Sequence, residues 1–153
     1  MIEMKVEECL TAIGGKNSSG VGDEFFRGVS IDSRTLKKGE LFVCIQGDRF
    51  DGHNFIKEAQ DKQAAAIVLS EESEMGRVRG KAPVVIRVKN TLKALQELAL
   101  FYRKKMPVKV IGITGTNGKS TTKEMTAAIT EKKFKAIKTK GNLNNHIGLP
   151  LNI

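Results

Sequence analysis

A glycine-rich segment at residues 112–122, GITGTNGKSTT, constrains the fold of this chain more than any other feature. The β-branched segment VKVI at residues 108–111 precedes it and is typical of a buried strand. Residues 118–131 follow it with the pattern of a helix. A strand, a glycine loop containing Gly-Lys-Ser and a helix, in this order, predict a loop that binds the phosphates of a nucleoside triphosphate.

The chemistry of the loop explains the residue types. Glycines allow backbone N–H groups to curve around phosphate oxygens, and the N-terminus of the helix adds a partial positive charge. Lys119 is the candidate catalytic cation, because its ammonium can reach the terminal phosphates, and the Ser120 hydroxyl is a candidate Mg²⁺ ligand. The strict pattern places glycine where this chain has Ile113, so a strand-to-helix turn without a ligand stays open as the alternative. The predicted nucleotide-binding residues are Gly115, Thr116, Asn117, Gly118, Lys119, Ser120 and Thr121.

The positive charge is concentrated around this loop. Residues 103–140 contain 11 Lys and Arg against 2 Asp and Glu, whereas the rest of the chain contains 15 of each, so this region accounts for the formal net charge of +9. A basic surface suits either a nucleic acid or small polyanionic ligands. Phe134 is the only aromatic residue in 104–140, and stacking on bases needs aromatic rings. We therefore expect small phosphorylated ligands and no nucleic acid.

Several classes of protein are disfavoured by composition. No apolar segment approaches the roughly 18–20 residues of a membrane span, and residues 1–5 lack the pattern of a signal peptide. Cys9 and Cys44 stand singly in apolar surroundings without metal-ligand spacing. They predict buried free thiols in a reducing cytoplasm.

The pattern of apolar residues predicts alternating strands and helices, which is an α/β fold. Thr91 is a candidate cap for a helix with one apolar face, and Pro107 ends that helix. The predicted helices cover about 4–13, 54–63, 91–106 and 118–131, and the predicted strands cover 28–31, 41–45, 65–69, 84–88, 108–113 and 134–138.

The elements divide into two predicted domains. Residues 1–106 form a small α/β domain, and residues 107–153 begin a second domain built on a parallel sheet with a β-α-β unit. A single such unit cannot cover both faces of its sheet. We therefore expect the N-terminal part of a longer enzyme. The alternative is a complete small protein whose last segment packs on the first domain.

Three further segments carry a family resemblance. Residues 28–34 read GVSIDSR and are followed by KGELFV at 38–43, residues 47–56 read GDRFDGHNFI, and residues 138–150 read KTKGNLNNHIGLP. Together with the loop at 112–122, they resemble the Mur ligases, the ATP-dependent amide-forming ligases of cell-wall precursor synthesis. The resemblance covers nearly the whole chain, and the segment at 138–150 is similar to the members that add D-alanyl-D-alanine.

The resemblance implies a cytoplasmic ligase that joins D-alanyl-D-alanine to UDP-N-acetylmuramoyl-tripeptide. ATP would phosphorylate the substrate carboxylate in the presence of Mg²⁺, and the dipeptide amine would attack the acyl phosphate. The first domain would bind the uridine nucleotide, and the second would begin the ATP-binding domain. Residues implied to hold the uridine nucleotide are Ile31, Ser33, Asp48, Arg49 and Phe50, and Asn144 and Asn145 are implied to meet the substrate.

Other interpretations stay open at this point. Residues 32–34 also fit an ordinary turn in which Asp32 bonds its own backbone, and Asn142, Asn144 and Asn145 also fit a loop-forming role. The chain could belong to a tripeptide-forming ligase, or act as a nucleotide-binding module without chemistry. The family's remaining catalytic groups would lie downstream of residue 153. We therefore expect the chain alone not to catalyse the ligation.

Overall fold

A parallel sheet forms the centre of the molecule. The computed structural model describes residues 3–17, 23–47, 50–73, 83–139, 141 and 145–152. The strands in these ranges are β1 (Met4–Lys5), β2 (Lys16–Asn17), β3 (Phe25–Phe26), β4 (Val29–Ser30), β5 (Leu41–Val43), β6 (Ala66–Ser70) and β7 (Val84–Val88). The α-helices are α1 (Val6–Ala12), α2 (Ile56–Asp61), α3 (Thr91–Lys105) and α4 (Lys119–Thr130), with 3₁₀ turns at Gly52–Phe55 and Pro150–Asn152.

Five strands pair in the order β2-β7-β6-β5-β4. Strands β4 to β7 run parallel to one another, and β2 pairs antiparallel with the outer edge of β7. Strand β6 is largely buried and apolar on both faces, and β7 is apolar except for Arg87, as parallel strands covered by helices usually are. Strands β1 and β3 form a separate antiparallel pair.

Alternate residues of the strands supply two hydrophobic cores. Leu41 and Val43 of β5 belong to the first core, which α1 and α3 cover. Phe42, the residue between them, belongs to the second core together with Ile56 and Ala59 of α2. This alternation follows from the two-residue period of a strand. The carboxyl ends of four parallel strands are thereby fixed along one edge of the sheet.

The predicted α/β class with a parallel-sheet core is confirmed. Strands predicted at 28–31, 41–45, 65–69 and 84–88 are present with shifts of one or two residues at their ends. The predicted helix at 4–13 begins later, because Met4–Lys5 pairs with Phe25–Phe26. The helix predicted from Thr91 is capped by Asn90, whose Oδ1 accepts the Lys93 N–H at 2.8 Å, and Thr91 is buried inside the first turn.

The strands predicted at 108–113 and 134–138 are wrong. The described residues after 106 contain α4 and a 3₁₀ turn, and no strand. Val110 is 67% exposed and Ile111 is 64% exposed. A strand is stable only when its backbone pairs with a neighbour, and these residues pair with no strand in the described part of the chain. The predicted β-α-β unit is therefore absent from the described part of the chain.

The last described segment packs on the first part of the chain. The side-chain amide of Gln96 on α3 donates to the His146 carbonyl at 3.1 Å, and Ile147 and Leu151 lie against the first core. The domain boundary near Met106 stays a prediction. No helix in the described ranges is long and apolar enough to cross a membrane.

Candidate nucleotide-binding site

The predicted phosphate-binding loop at residues 112–122, called the phosphate loop below, adopts the conformation that its glycines allow. Gly118 is the N-cap of α4 with φ of 75° and ψ of −2°, and Gly115 has φ of 145°. Both values lie in regions that residues with a Cβ rarely adopt. The first helical hydrogen bond runs from Thr122 N–H to the Gly118 carbonyl at 2.9 Å. The N–H groups of residues 119–121 therefore precede it and are directed out of the helix start, where an anion would bind.

Lys119 lies over the loop. Its ammonium donates to the carbonyls of Gly115 and Thr116, the second at 3.3 Å. Residues 114–122 are all exposed, so a ligand can approach the loop from solvent. A phosphate oxygen would compete with these carbonyls for the ammonium, and a charge-assisted bond to phosphate is the stronger interaction.

The donor set at the loop fits one mode of Mg²⁺ binding. The exposed Ser120 hydroxyl lies in the first turn of α4, beside Lys119. The described residues contain no group of three His, Cys, Asp or Glu side chains that could hold a metal. Mg²⁺ commonly binds through one or two protein oxygens plus substrate phosphates, which is the arrangement that this loop permits.

Charged side chains tie α4 to the segment that follows it. Lys123 donates to the Thr139 carbonyl at 3.0 Å, and Glu124 accepts from Lys138 and lies 3.3 Å from Lys123. Hydrogen bonds from Lys138 and then Lys123 hold the pKa of Glu124 below its ordinary value. These contacts fix residues 138–139 beside the helix, and the lysines within residues 132–135 are exposed.

A second group of predicted residues follows the carboxyl end of β4. Asp32 forms a turn: its Oδ1 accepts the Arg34 N–H at 3.0 Å, and its carboxylate pairs with the Arg34 guanidinium at 2.7 Å. The side-chain hydrogen bond from Arg34 lowers the pKa of Asp32. Ile31 packs partly against the first core. The turn is thus the Asp turn that was one of the two interpretations of this segment.

Side chains of α2 hold the same turn from the other side. Ser33 is 4% exposed, and its hydroxyl donates to Glu58 Oε2 at 2.8 Å. Lys62 donates to the carbonyls of Ser33 at 2.6 Å and Arg34 at 2.9 Å. Glu58 and Lys62 were not among the site residues predicted from the sequence, although their spacing of four residues on a predicted helix indicates a side-chain pair.

The loop after β5 lies at the same edge of the sheet. Phe50 is 73% exposed, and its carbonyl accepts the Gly47 N–H at 2.9 Å. Asp51 Oδ1 accepts the His53 N–H at 2.9 Å and caps the 3₁₀ turn. Because β4 and β5 are parallel neighbours, the residues that follow them, Ile31 and Ser33 on one side and Phe50 on the other, share one edge. The predicted residues Asp48 and Arg49 lie outside the described residues.

Asn145 has a loop-forming role in the structure. Its side-chain oxygen accepts the N–H groups of Ile147 at 3.2 Å and Gly148 at 2.6 Å, which closes the turn before Pro150. Its predicted contact with substrate stays a prediction. Asn144 lies outside the described residues. Among the described residues, no hydrogen bond or ion pair joins the phosphate loop to the sheet edge, and that the two belong to one site stays a prediction.

The fold and the similarity to known proteins define a class of protein. The model of the Mur ligase family catalytic domain matches residues 26–103, and the Mur ligase middle domain matches residues 113–153. The first match alone covers more than half of the chain. The chain belongs to the Mur ligase family.

Particular relatives add detail. The chain is 45% identical over 126 residues to UDP-N-acetylmuramoyl-tripeptide–D-alanyl-D-alanine ligase of Bacillus subtilis, a match that covers 82% of this chain and 27% of that protein. It resembles the crystal structure of MurF from Acinetobacter baumannii with a TM-score of 0.86 and 28% identity, over 99% of this chain and 33% of that one. It also resembles MurF ligase from Thermotoga maritima in complex with ADP, with a TM-score of 0.69 and 35% identity, over 82% and 28% of the two chains. The chain therefore spans a third or less of the length of these proteins.

Proposed function

We propose that this chain provides the nucleotide-binding part of an ATP-dependent ligase that adds D-alanyl-D-alanine to UDP-N-acetylmuramoyl-tripeptide. The observation that carries the proposal is the phosphate loop, in which left-handed Gly118 starts α4 with the N–H groups of its first turn unpaired in the helix. The substrates named for the B. subtilis relative supply the substrate class. The ADP bound to the T. maritima ligase supports ATP as the second nucleotide.

The loop would hold ATP through its backbone and two side chains. Residues Gly115 to Thr121 surround the phosphates, and Lys119 moves from its carbonyl partners to the terminal phosphate oxygens. Ser120 would hold Mg²⁺, which when bound neutralises charge on the phosphates. Neutralisation matters because the attacking group is itself an anion: a substrate carboxylate oxygen attacks the terminal phosphorus and ADP leaves. The resulting acyl phosphate loses inorganic phosphate when the dipeptide amine attacks its carbonyl carbon.

The sheet edge would hold the uridine nucleotide of the other substrate. In this proposal Ile31 and Ser33 contribute the turn after β4, and Asp48, Arg49 and Phe50 contribute the loop after β5. Ligands of open parallel sheets commonly bind outside the carboxyl ends of the strands. Asn144 and Asn145 would meet the same substrate from the segment that packs on α3.

Binding is the property to measure, since the chain spans 27% of the B. subtilis relative. We would titrate it by calorimetry with Mg²⁺-ATP, UDP-N-acetylmuramoyl-tripeptide, the matching dipeptide form and a single-stranded oligonucleotide. The proposal expects saturable binding of both nucleotides, with the tripeptide form bound more tightly than the dipeptide form. Oligonucleotide binding that weakens steeply with salt, without nucleotide-sugar binding, contradicts it. Tighter binding of the dipeptide form favours a tripeptide-forming ligase.

A pair of lysine variants tests the loop itself. Lys119→Met removes the ammonium, and we expect ATP affinity to fall by about tenfold or more, because a hydrogen bond to a charged group is worth roughly 1.5–3 kcal/mol. Lys132→Met is the control, since Lys132 is an exposed cation beyond the end of α4. Equal losses in the two variants would show only a general effect of surface charge.

A further inference from the structure

We propose that Lys62, supported by Glu58, is a positioning residue that holds the turn at residues 32–34 in the shape that binds the uridine nucleotide. The inference rests on the proposed function, in which this turn contacts the nucleotide. It adds a residue that neither the sequence motifs nor the family resemblance singled out.

Lys62 and Glu58, together called the clamp below, form several hydrogen bonds to this turn. The Lys62 ammonium donates to two consecutive carbonyls, those of Ser33 at 2.6 Å and Arg34 at 2.9 Å. It also lies 3.7 Å from Glu58 Oε1, while the other oxygen of Glu58 accepts the Ser33 hydroxyl at 2.8 Å. Glu58 of α2 and Lys62, which follows the helix, therefore reach the side chain and the backbone of a segment that is 25–29 residues away in the chain.

The opposite side of the turn is held by Asp32. The Arg34 N–H donates to Asp32 Oδ1 at 3.0 Å, and the Thr35 N–H donates to the Asp32 carbonyl at 3.2 Å. In a trans peptide the C=O and N–H groups point in opposite directions. The two peptide units after Ser33 and Arg34 are thus fixed from both sides, with their carbonyls on Lys62 and their N–H groups on Asp32.

This arrangement differs from an ordinary surface ion pair. An ion pair near the surface, such as Lys62 with Glu58 alone, contributes little to stability. Here the same ammonium orients two peptide units of the turn, and its side chain is 35% exposed. A turn that is already ordered loses less conformational entropy when a ligand binds, so the clamp acts on affinity. Lys62 follows directly after α2, so it connects the turn to this helix. The loop at 46–55 precedes the same helix.

The test uses the 153-residue chain and UDP as the probe. Lys62→Met keeps an unbranched side chain that is one heavy atom shorter and removes its donors. Lys57→Met is the matched control, because Lys57 is an exposed lysine of α2, the helix that Lys62 follows. Ile67→Val, in the second core, is a control for stability, since it should lower the melting temperature without touching the turn. Glu58→Ala and Glu58→Gln provide a second pair, in which the glutamine oxygen can still accept the Ser33 hydroxyl.

We expect Lys62→Met to weaken UDP binding by about five- to tenfold, while Lys57→Met and Ile67→Val bind as the wild type does. Glu58→Gln should retain more affinity than Glu58→Ala. Wild-type affinity in Lys62→Met, or an equal loss in Ile67→Val at a similar melting temperature, would overturn the clamp alone. A wild-type chain that binds no UDP at all would overturn the proposed nucleotide site and the clamp with it.

Discussion

His53 lies between Asp51 and the end of β6, and it bonds to both. Its Nδ1 atom is 2.5 Å from Asp51 Oδ1, and its Nε2 atom accepts the Ser70 N–H at 3.0 Å. Because Nε2 is an acceptor, the neutral ring carries its proton on Nδ1 and donates it to the carboxylate. The ring therefore ties the loop after β5 to the neighbouring strand, and this loop is one side of the proposed nucleotide site.

His53→Ala should destabilise the chain, because it leaves the partly buried Ser70 N–H and the Asp51 carboxylate without the ring as their partner. We expect the free energy of unfolding to fall by about 1–2 kcal/mol, which urea denaturation can measure. Asn54→Ala, at an exposed position of the same 3₁₀ turn, is the control and should have little effect. Equal stability of the two variants would show that the ring does not stabilise the loop.

Asp51 should make part of the stability depend on acid pH. Burial raises the pKa of its carboxyl, but the hydrogen bonds from the His53 N–H and ring outweigh burial, so the pKa is lowered overall. A lowered folded-state pKa gives stability that is present above the unfolded pKa of about 3.9 and is lost as pH falls through the folded value. The stability difference between wild type and Asp51→Asn should therefore shrink as pH falls below about 4. Urea titrations at pH 6 and at pH 3 measure this difference, and a gap that stays constant contradicts the argument.

Local sequence pattern was sufficient for part of the fold. The apolar segments of β6 and β7 and the one-sided apolar pattern of α3 predict their elements, because burial in the sheet and on its face acts on residues close in sequence. The two-residue strands β1 and β3 were missed, since they exist only through a pairing between Met4 and Phe26. The strand expected at 108–113 failed for the same reason, because its formation depends on a neighbour that local pattern cannot supply.

The candidate site, like the fold, was predictable from the sequence only where its residues are close together in the chain. The glycine turn and the helix that begins at Lys119 were predictable, because their residues are contiguous in sequence, and phosphate binding by this loop stays a prediction. The contacts of Ser33 with Glu58 and Lys62 were not, since they join residues from different elements. The i, i+4 spacing of the two charged residues indicated only that they could meet each other.

Gly52 occupies a position where a methyl group does not fit. A Cβ there would lie 2.8 Å from the Ile45 nitrogen and 2.9 Å from the Cys44 Cα, and backbone atoms of a buried strand end cannot move aside easily. We expect Gly52→Ala to lower the free energy of unfolding by about 1–3 kcal/mol. In the control Gly47→Ala, the new Cβ would meet the Phe50 carbonyl at 3.6 Å, an ordinary contact. Thermal denaturation of both variants tests this, and equal melting temperatures would refute the steric argument.

Gln63 ends α2 in a conformation that favours glycine. Its φ is 58°, its N–H donates to the Gln60 carbonyl at 2.8 Å, and the Ala64 N–H donates to the Ala59 carbonyl at 3.0 Å. These two bonds form the helix-ending motif in which glycine normally takes the left-handed position. Gln63→Gly relieves a backbone cost of about 1–2 kcal/mol, which is partly offset by greater freedom of the unfolded chain.

We therefore expect Gln63→Gly to raise the free energy of unfolding by about 0.5 kcal/mol in urea denaturation. Asp61→Gly serves as the matched control, because Asp61 is the last residue of α2 and is exposed. Glycine at that helical position should destabilise by about 0.5–1 kcal/mol. Destabilisation by both substitutions would mean that the left-handed position carries no strain.

Cys9 and Cys44 should be unreactive in the folded chain. Both residues are fully buried, one in each hydrophobic core. Burial raises the pKa of the Cys9 thiol to about 12, and burial together with the nearby Asp51 charge raises that of Cys44 to about 12. At pH 8 the thiolate fraction is then roughly 10⁻⁴, and a thiol reagent cannot reach either sulfur atom unless the core opens.

The disulfide reagent DTNB measures this reactivity, since it releases one equivalent of thionitrobenzoate for each thiol with which it reacts. We expect no release within minutes from the native protein and two equivalents from the protein in 8 M urea. Lys57→Cys, which places a thiol on the exposed face of α2, should release one equivalent rapidly under native conditions. Fast release from the wild-type chain would show that at least one core opens readily.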